Sequence, residues 1–371
     1  MSKWKIVKVS DVCKSIFAGG DVPKNNYSIE KNEVFSIPIY TNGENNDGLY
    51  GYTTSARVTE PSITVSARGT IGFTAIRTIP FYPAIRLITL IPNNDIDIKY
   101  LYYVTQNYKF NNGGTSIPQL TVPMLKDYSF PLPPLETQHQ IAATLDKVTH
   151  TIALCNAILE KLDLLVKARF VEMFGDMFLN PYKWEKEDFG TICDVRDGTH
   201  DSPKYYDVGY PLITSKNITG GIIDFSGCNL ISKDDYMKIN ERSKVDLGDI
   251  LMPMIGTIGK PVIVDIDNEF AIKNVALIKL RKPSKVINVF INALLQSDYF
   301  DISFINQIRG GTQKFISLGD IRKLQICVPP LTLQQQFAAF VEQTNKTKQQ
   351  VKQTLEKAET LKKALMQEYF G

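Results

Sequence analysis

Residues 133–175, PPLETQHQIAATLDKVTHTIALCNAILEKLDLLVKARFVEMFG, return without a gap at 329–371 as PPLTLQQQFAAFVEQTNKTKQQVKQTLEKAETLKKALMQEYFG. The displacement is 196 positions, and 17 of the 43 aligned positions are identical, among them Gln138/Gln334, Ala142/Ala338 and the closing Phe-Gly. An internal repeat at fixed period governs every later statement about fold, because it makes the chain two copies of one unit. Each copy reads as one long helix. Paired prolines set its start, where a missing N–H costs nothing, and a glycine closes its end. Ile141, Leu145, Val148, Ile152, Cys155, Leu159, Leu162 and Val166 recur by fours and threes, the period of a heptad seam. The second copy keeps Phe337, Val341, Val351, Leu355, Ala358 and Leu365, while Thr344, Lys348 and Lys362 interrupt it. About 38 residues at 1.5 Å each give a rod of roughly 57 Å.

The segments between the helices repeat as well, with a drifting offset. Trp4 matches Trp184, Cys13 matches Cys193, and residues 38–41 (PIYT) match 211–214 (PLIT). GTIG at 69–72 returns at 256–259, AIR at 84–86 returns as AIK at 271–273, and GGT at 113–115 returns at 310–312. Framework persists while connecting loops change length, the behaviour of loops that carry specificity. In the first body, residues 34–40, 62–67, 72–76 and 85–91 read as strands, and 97–108 as a helix packed on them. The organisation expected is a body at 1–132, a helical spacer at 133–176, a second body at 177–328 and a second spacer at 329–371. The fold class expected is α+β: two similar α/β bodies separated by two long antiparallel coiled-coil helices, related by an internal pseudo-two-fold. Paired readers bind half-sites whose separation follows protein geometry, and bodies this different in sequence should read two different half-sites.

Composition narrows the function. A chain of 371 residues with 43% hydrophobic residues can bury more than one core. No apolar run reaches the ~18 residues of a membrane helix, and the first residues lack a signal-peptide core, so a cytoplasmic protein without membrane contact is expected. Five cysteines form no CxxC pair, and three histidines (139, 150 and 200) show no metal spacing, so no metal or disulfide framework is expected. Net charge is only +3, less than a stand-alone nonspecific DNA binder carries, so other subunits would supply much of any phosphate grip.

Catalytic motifs are incomplete. Asn180-Pro181-Tyr182 is similar to the adenine-methyltransferase Asn/Asp-Pro-Pro-Tyr/Phe motif but lacks its second proline and a preceding Gly-rich cofactor turn. Residues 256–260, GTIGK, have two residues between glycines where a phosphate loop has four, and Pro261 follows. What remains is a set of polar loop side chains able to bond base edges and phosphates. In the first body these are Thr41, Asn42, Asn45, Asn46, Ser66, Arg68, Asn112, Thr115 and Gln119; in the second, Thr199, His200, Lys204, Ser215, Lys216, Asn217, Arg309, Gln313 and Lys314. A noncatalytic sequence-specific DNA reader fits best. A coiled-coil scaffold with two protein-binding bodies, and a fused adenine methyltransferase, are the competing classes.

The order of these features resembles the specificity (S) subunit of Type I restriction–modification systems over essentially the whole chain. The carrying residues are the two PPL, Gln-rich helix starts, the GTIG and GGT turns, RDGTHDSP at 196–203 and GYPLITSKNITGG at 209–221. The first copy departs at residues 17–21, FAGGD, which leaves its first recognition loop unassigned. The resemblance implies two target recognition domains reading the halves of a bipartite double-stranded DNA site. It implies a nonspecific gap between the halves and helices that dock two modification subunits, which methylate adenine with S-adenosylmethionine; the ungapped repeat of the helices suggests that they set that gap. Restriction/translocase subunits can join. The S subunit itself would hold no cofactor, with Mg and ATP also expected on partners.

Overall fold

A computed structural model describes residues 4–109, 119–254, 260–304 and 316–371. It divides into two compact units, residues 1–156 with 352–371, and residues 157–351. Each unit contains the start of one long helix and the end of the other.

The two helices are 40 residues each, Leu135–Phe174 and Leu331–Phe370, about 60 Å at 1.5 Å per residue. They begin directly after the prolines, whose carbonyls accept from the backbone N–H of Gln138 (3.0 Å) and Gln334 (3.2 Å). Ile141, Leu145, Cys155 and Phe337 are buried, and Val148, Ile152, Leu159, Leu162, Val166, Val341, Val351, Leu355 and Leu365 are half-buried between exposed neighbours. The polar interruptions lie on the same seam. Thr344 is 5% exposed and returns its hydroxyl to the Phe340 carbonyl at 2.9 Å, and Lys348 reaches Asp163 at 2.5 Å. Desolvation lowers the Lys362 ammonium below its ordinary pKa. Within each unit the helices run antiparallel. In the first, Ile141 near one helix start shares a core with Phe370 at the other's end; in the second, Phe337 and Phe170 do the same, with rings 5.6 Å apart.

In the first unit the body carries a four-stranded antiparallel sheet, in the order Cys13–Ala18, Ile88–Pro92, Ser62–Val65, Thr74–Arg77. A second sheet orders Tyr27–Ser28, Leu49–Thr53, Ile37–Tyr40 and Tyr82–Pro83, the last pair parallel. Lys5–Lys8 pairs with Ser129–Leu132, which brings the start and end of the body together. Ser62–Val65 lies between two strands and is buried at every residue, so it reads as a continuous run without alternation. The helix Ile98–Gln106, capped by the Asp97 carboxylate on the Tyr100 N–H, turns Tyr100, Leu101 and Val104 into the core.

The second unit repeats this frame. Its sheet orders Cys193–Asp197, Val275–Leu280, Ile250–Pro253 and Val262–Ile263, and its second sheet again joins two strands in parallel, Tyr210–Ile213 with Ala271–Ile272. Glu185–Asp188 pairs with Gln325–Val328. Hydrogen bonds correct one sequence match. The Ala84 N–H donates to Tyr40 and the Lys273 N–H to Ile213, so Ala84 stands where Lys273 does, two residues off the AIR/AIK alignment. Ile85 and Arg86 consequently leave the expected strand 85–91. They adopt φ 52° and 61°, and the strand begins at Ile88.

Gln138 and Gln334 explain their own identity. They are 1% and 0% exposed. Gln138 donates to the carbonyls of Asp95 (3.0 Å) and Pro133 (2.9 Å) and accepts from the Asp97 N–H (2.8 Å). Gln334 donates to Lys285 (3.1 Å) and Pro329 (2.7 Å) and accepts from the Ile287 N–H (3.0 Å). In both copies one amide ties the helix start to the body through backbone groups alone.

Candidate nucleic-acid interface

The described candidate side chains of the first unit gather on loops at the ends of its two sheets. Not all of them are free. Asn42 accepts from the Ala67 N–H at 2.7 Å and donates to the Ile85 carbonyl, so both ends of its amide are spent inside the loop cluster. Ser66 is fully buried and accepts from the Gly43 N–H at 3.0 Å. Thr41 closes the turn through its N–H to Gly48 at 2.8 Å. These three shape the loop, while Asn45 and Asn46 stand exposed on the turn they frame. Arg68 donates twice to the Gln119 amide oxygen, at 3.1 and 2.7 Å. Gln119 also lines a cleft of about 330 Å³ with Gly19 and Arg86. Asn112 and Thr115 lie outside the described residues.

In the second unit, Asn217 caps its own turn. Its carbonyl oxygen accepts from the N–H (3.0 Å) and hydroxyl (2.9 Å) of Thr214, and its NH₂ donates to the Asp224 carbonyl at 3.2 Å. That leaves Lys216 exposed at the tip. Thr199 accepts from the Asp201 N–H at 3.1 Å, and Lys204 sits 5.5 Å from the Tyr206 ring centre. Ser215 lies 3.5 Å from the Asn274 carbonyl, and His200 is bonded to the side chain of the same Asn274. Arg309, Gln313 and Lys314 lie outside the described residues.

The unassigned loop of the first body finds its counterpart here. The Gly19 N–H donates to Leu87 as the Gly198 N–H does to Val275. A Cβ on Gly19 would stand 2.5 Å from the Pro83 oxygen, and one on Gly198 2.0 Å from the Ile272 oxygen. Only glycine admits so close a backbone crossing. Residues 17–21 thus occupy the place of 196–200 despite sharing one glycine with it. The GTIG glycines Gly69 and Gly72, at φ 67° and 85°, serve the turn itself, and the second GTIG lies outside the described residues.

His200 carries the clearest electrostatic signature. Its Nδ1 is 2.7 Å from the Asn274 amide oxygen and its Nε2 2.7 Å from the Asp197 carboxylate, which also accepts from Arg242 at 2.7 Å. A neutral imidazole donates through one nitrogen, so two oxygen partners favour the protonated ring. The Asn274 amide, then Asp197, raise its pKa above the ordinary 6.5, against the lowering by desolvation and Arg242. A raised pKa stabilises fully below the unfolded value and is lost as pH rises through the folded one. The His200 resonance should therefore titrate with a midpoint above 6.5, and Asp197→Asn should lower that midpoint; an unshifted wild-type midpoint would remove the clamp.

Sequence reading missed Arg77, Asp47, Asp197, Arg242 and Asn274, all of which hold these loops. A visible signal existed for Arg77, which ends the strand Thr74–Arg77 and is 4% exposed on a strand otherwise apolar or small. Asn180 takes a different role from the one its motif suggests. Its amide bonds both the N–H and the carbonyl of Trp184, at 2.8 Å each, and so forms the joint after the first helix. Among the described residues no cluster of three or more His, Cys, Asp or Glu could hold a metal, and no helix is long and apolar enough to cross a membrane.

Residues 1–164 and 181–360 match the Type I restriction modification DNA specificity domain. The chain belongs to that family. A putative type I specificity subunit of Mycoplasma pneumoniae, S.MpnORF507P, is 38% identical over 154 residues, a match spanning 42% of this chain and 42% of that relative. The MjaIX specificity subunit of Methanocaldococcus jannaschii is 26% identical over 390 aligned positions, 91% of this chain and 86% of its own. The Type-I restriction-modification S subunit from M. genitalium shares the fold, at TM-score 0.63 and 15% identity, over 100% of this chain and 96% of that one. The α+β class with its internal repeat is thereby established.

Proposed function

We propose that the chain is the noncatalytic DNA-reading subunit of a Type I restriction–modification complex, each body reading one half of an asymmetric bipartite site. The observation that carries this reading is the duplicated frame with unlike loop tips. The same crossing recurs at Gly19 and Gly198, while the exposed loop side chains differ, Asn45 and Asn46 in one unit and Lys216 and His200 in the other. Amide tips suit adenine and cationic tips suit guanine or phosphate, so the halves should differ. The long helices are the docking surface for two modification subunits and set the gap between half-sites. S-adenosylmethionine, Mg and ATP belong to the modification and restriction subunits. The specificity-subunit relatives support this division of labour.

The purified chain alone is expected to bind DNA weakly and to transfer no methyl group from S-adenosylmethionine. Adding the modification subunits should produce methyladenine at one bipartite sequence. Methyl transfer by the contaminant-free chain would end the noncatalytic reading.

A further inference from the structure

The one buried arginine of the first unit's recognition cluster commits both terminal nitrogens of its guanidinium to a turn that carries exposed amides. We propose that Arg77 is a positioning residue for the first half-site: it fixes the turn that presents Asn45 and Asn46 to DNA. The inference rests on reading this body as a DNA-recognition domain.

Arg77 reaches from one sheet to the turn that follows the middle strand of the other. Its Nε donates to the Thr64 hydroxyl at 3.1 Å, one terminal nitrogen to the Asp47 carboxylate, and the other to the Asp47 carbonyl at 2.8 Å. Its guanidinium carbon lies 3.7 Å from the centre of the Tyr40 ring. Buried charge persists only when so fully partnered. The object of that pairing is strained backbone. Asn46 (φ 49°, ψ 36°) and Asp47 (φ 54°, ψ 29°) are two consecutive left-handed residues, neither a glycine. Such a pair survives only where its surroundings over-determine it, and Arg77 holds Asp47 by both backbone and side chain. The contact also neutralises a carboxylate that is 59% exposed beside a surface meant for phosphates.

Among its described residues the second unit has no equivalent clamp. The register of the two sheets places Val264, 2% exposed, where Arg77 stands, and the Thr214–Asn217 cap closes the corresponding turn. Loss of Arg77 should therefore damage one half-site only.

The test uses the full chain in complex with its modification subunits. Duplexes carry the site mapped by methyladenine sequencing, with each base of each half substituted in turn. Exchange of residues 1–132 assigns the halves. Arg77→Met should reduce discrimination at the first half at least tenfold and leave the second unchanged. Arg77→Lys should also fall short, since one ammonium cannot reproduce the planar fork. Adding Asp47→Asn to Arg77→Met should restore the affinity lost to the bare carboxylate, seen as a recovered salt slope, without restoring discrimination. A merely structural role would instead lower affinity for both halves together. If Arg77→Met does not fold, Asp47→Ala releases the clamp from its exposed side and should give the same one-sided loss. Wild-type discrimination in a folded Arg77→Met or Asp47→Ala complex overturns the proposal. Asn45→Ala/Asn46→Ala separates the two levels. If it loses first-half discrimination while Arg77→Met keeps it, the clamp fails and the reading of the turn stands. If neither variant changes discrimination, the turn does not read DNA and both fail.

Discussion

Gln334→Leu should destabilise the second unit by about 3–5 kcal/mol. The substitution conserves bulk but leaves the carbonyls of Lys285 and Pro329 and the N–H of Ile287 without the partner they have now. An orphaned buried backbone group costs about 1–3 kcal/mol, and total stability of a domain is only ~5–15 kcal/mol, so about a fifth of it or more is at stake. Gln138→Leu should do the same to the first unit, through Asp95, Pro133 and Asp97. The protein supplies its own probes, since Trp184 packs on the core of one unit and Trp4 on that of the other. Urea titrations in Trp4→Phe and Trp184→Phe backgrounds would read each unit separately. A loss under about 1 kcal/mol at both sites would show that water replaces the glutamine and that the joint is not what holds helix to body.

Exchanging residues 1–132 for the first body of another specificity subunit should rewrite one half of the methylated sequence and leave the other intact. Such a graft would ordinarily fail for want of matching side chains at the joint. Here the exchanged segment carries both Lys5–Lys8 and Ser129–Leu132, so the closing strand pair moves as one piece. One tie to the helix is made by Gln138 to backbone atoms of residues 95 and 97, which any body of this frame presents; Lys99 and Tyr103 add side-chain bonds to Asp146, at 2.6 and 2.7 Å, which the incoming body must match. Two or more altered base pairs, at about 1–3 kcal/mol each, would cost the original site roughly 30-fold or more in affinity. Methylome sequencing reads the outcome directly. A change in both halves would show that the bodies do not read independently.

Much of this architecture was legible because repeats and heptads are local signals. The seam from Ile141 to Val166 and the helix ends at Pro134 and Gly175 follow from period and capping alone. The recognition loops were less legible. Asn42, Ser66 and Asn217 are polar residues in loops, as base-reading residues are, yet the structure spends their polar groups on neighbouring loop backbone and a threonine. A loop that must hold an irregular shape needs the same donors and acceptors as one that reads bases, and what tells them apart is the partner found in the fold, 23 to 43 residues away in sequence for Asn42 and Ser66. Arg77 was missed for a related reason, because its partners on Tyr40, Asp47 and Thr64 belong to other elements. The AIR/AIK match failed by two residues because the letters repeat where the pairing does not: Tyr82–Pro83, not residues 84–85, lies parallel to its neighbour strand as Ala271–Ile272 does.

The polar interruptions of the helix seam carry one more consequence. A wholly apolar heptad seam can slide by seven residues and bury nearly the same surface, a slip of about 10.5 Å. With Asp163 bonded to Lys348 and Thr344 buried beside Phe340, such a slip strands an ammonium among aliphatic side chains. These residues act as a pawl on a ratchet, expensive to lift and with stops spaced one heptad apart. Lineages that gain or lose whole heptads would then move between discrete site spacings of about three base pairs, since duplex DNA rises ~3.4 Å per pair. An intermediate length, such as four added residues at 100° each, would rotate the downstream face by about 40° and lengthen the spacing by about one or two base pairs at a cost in seam packing.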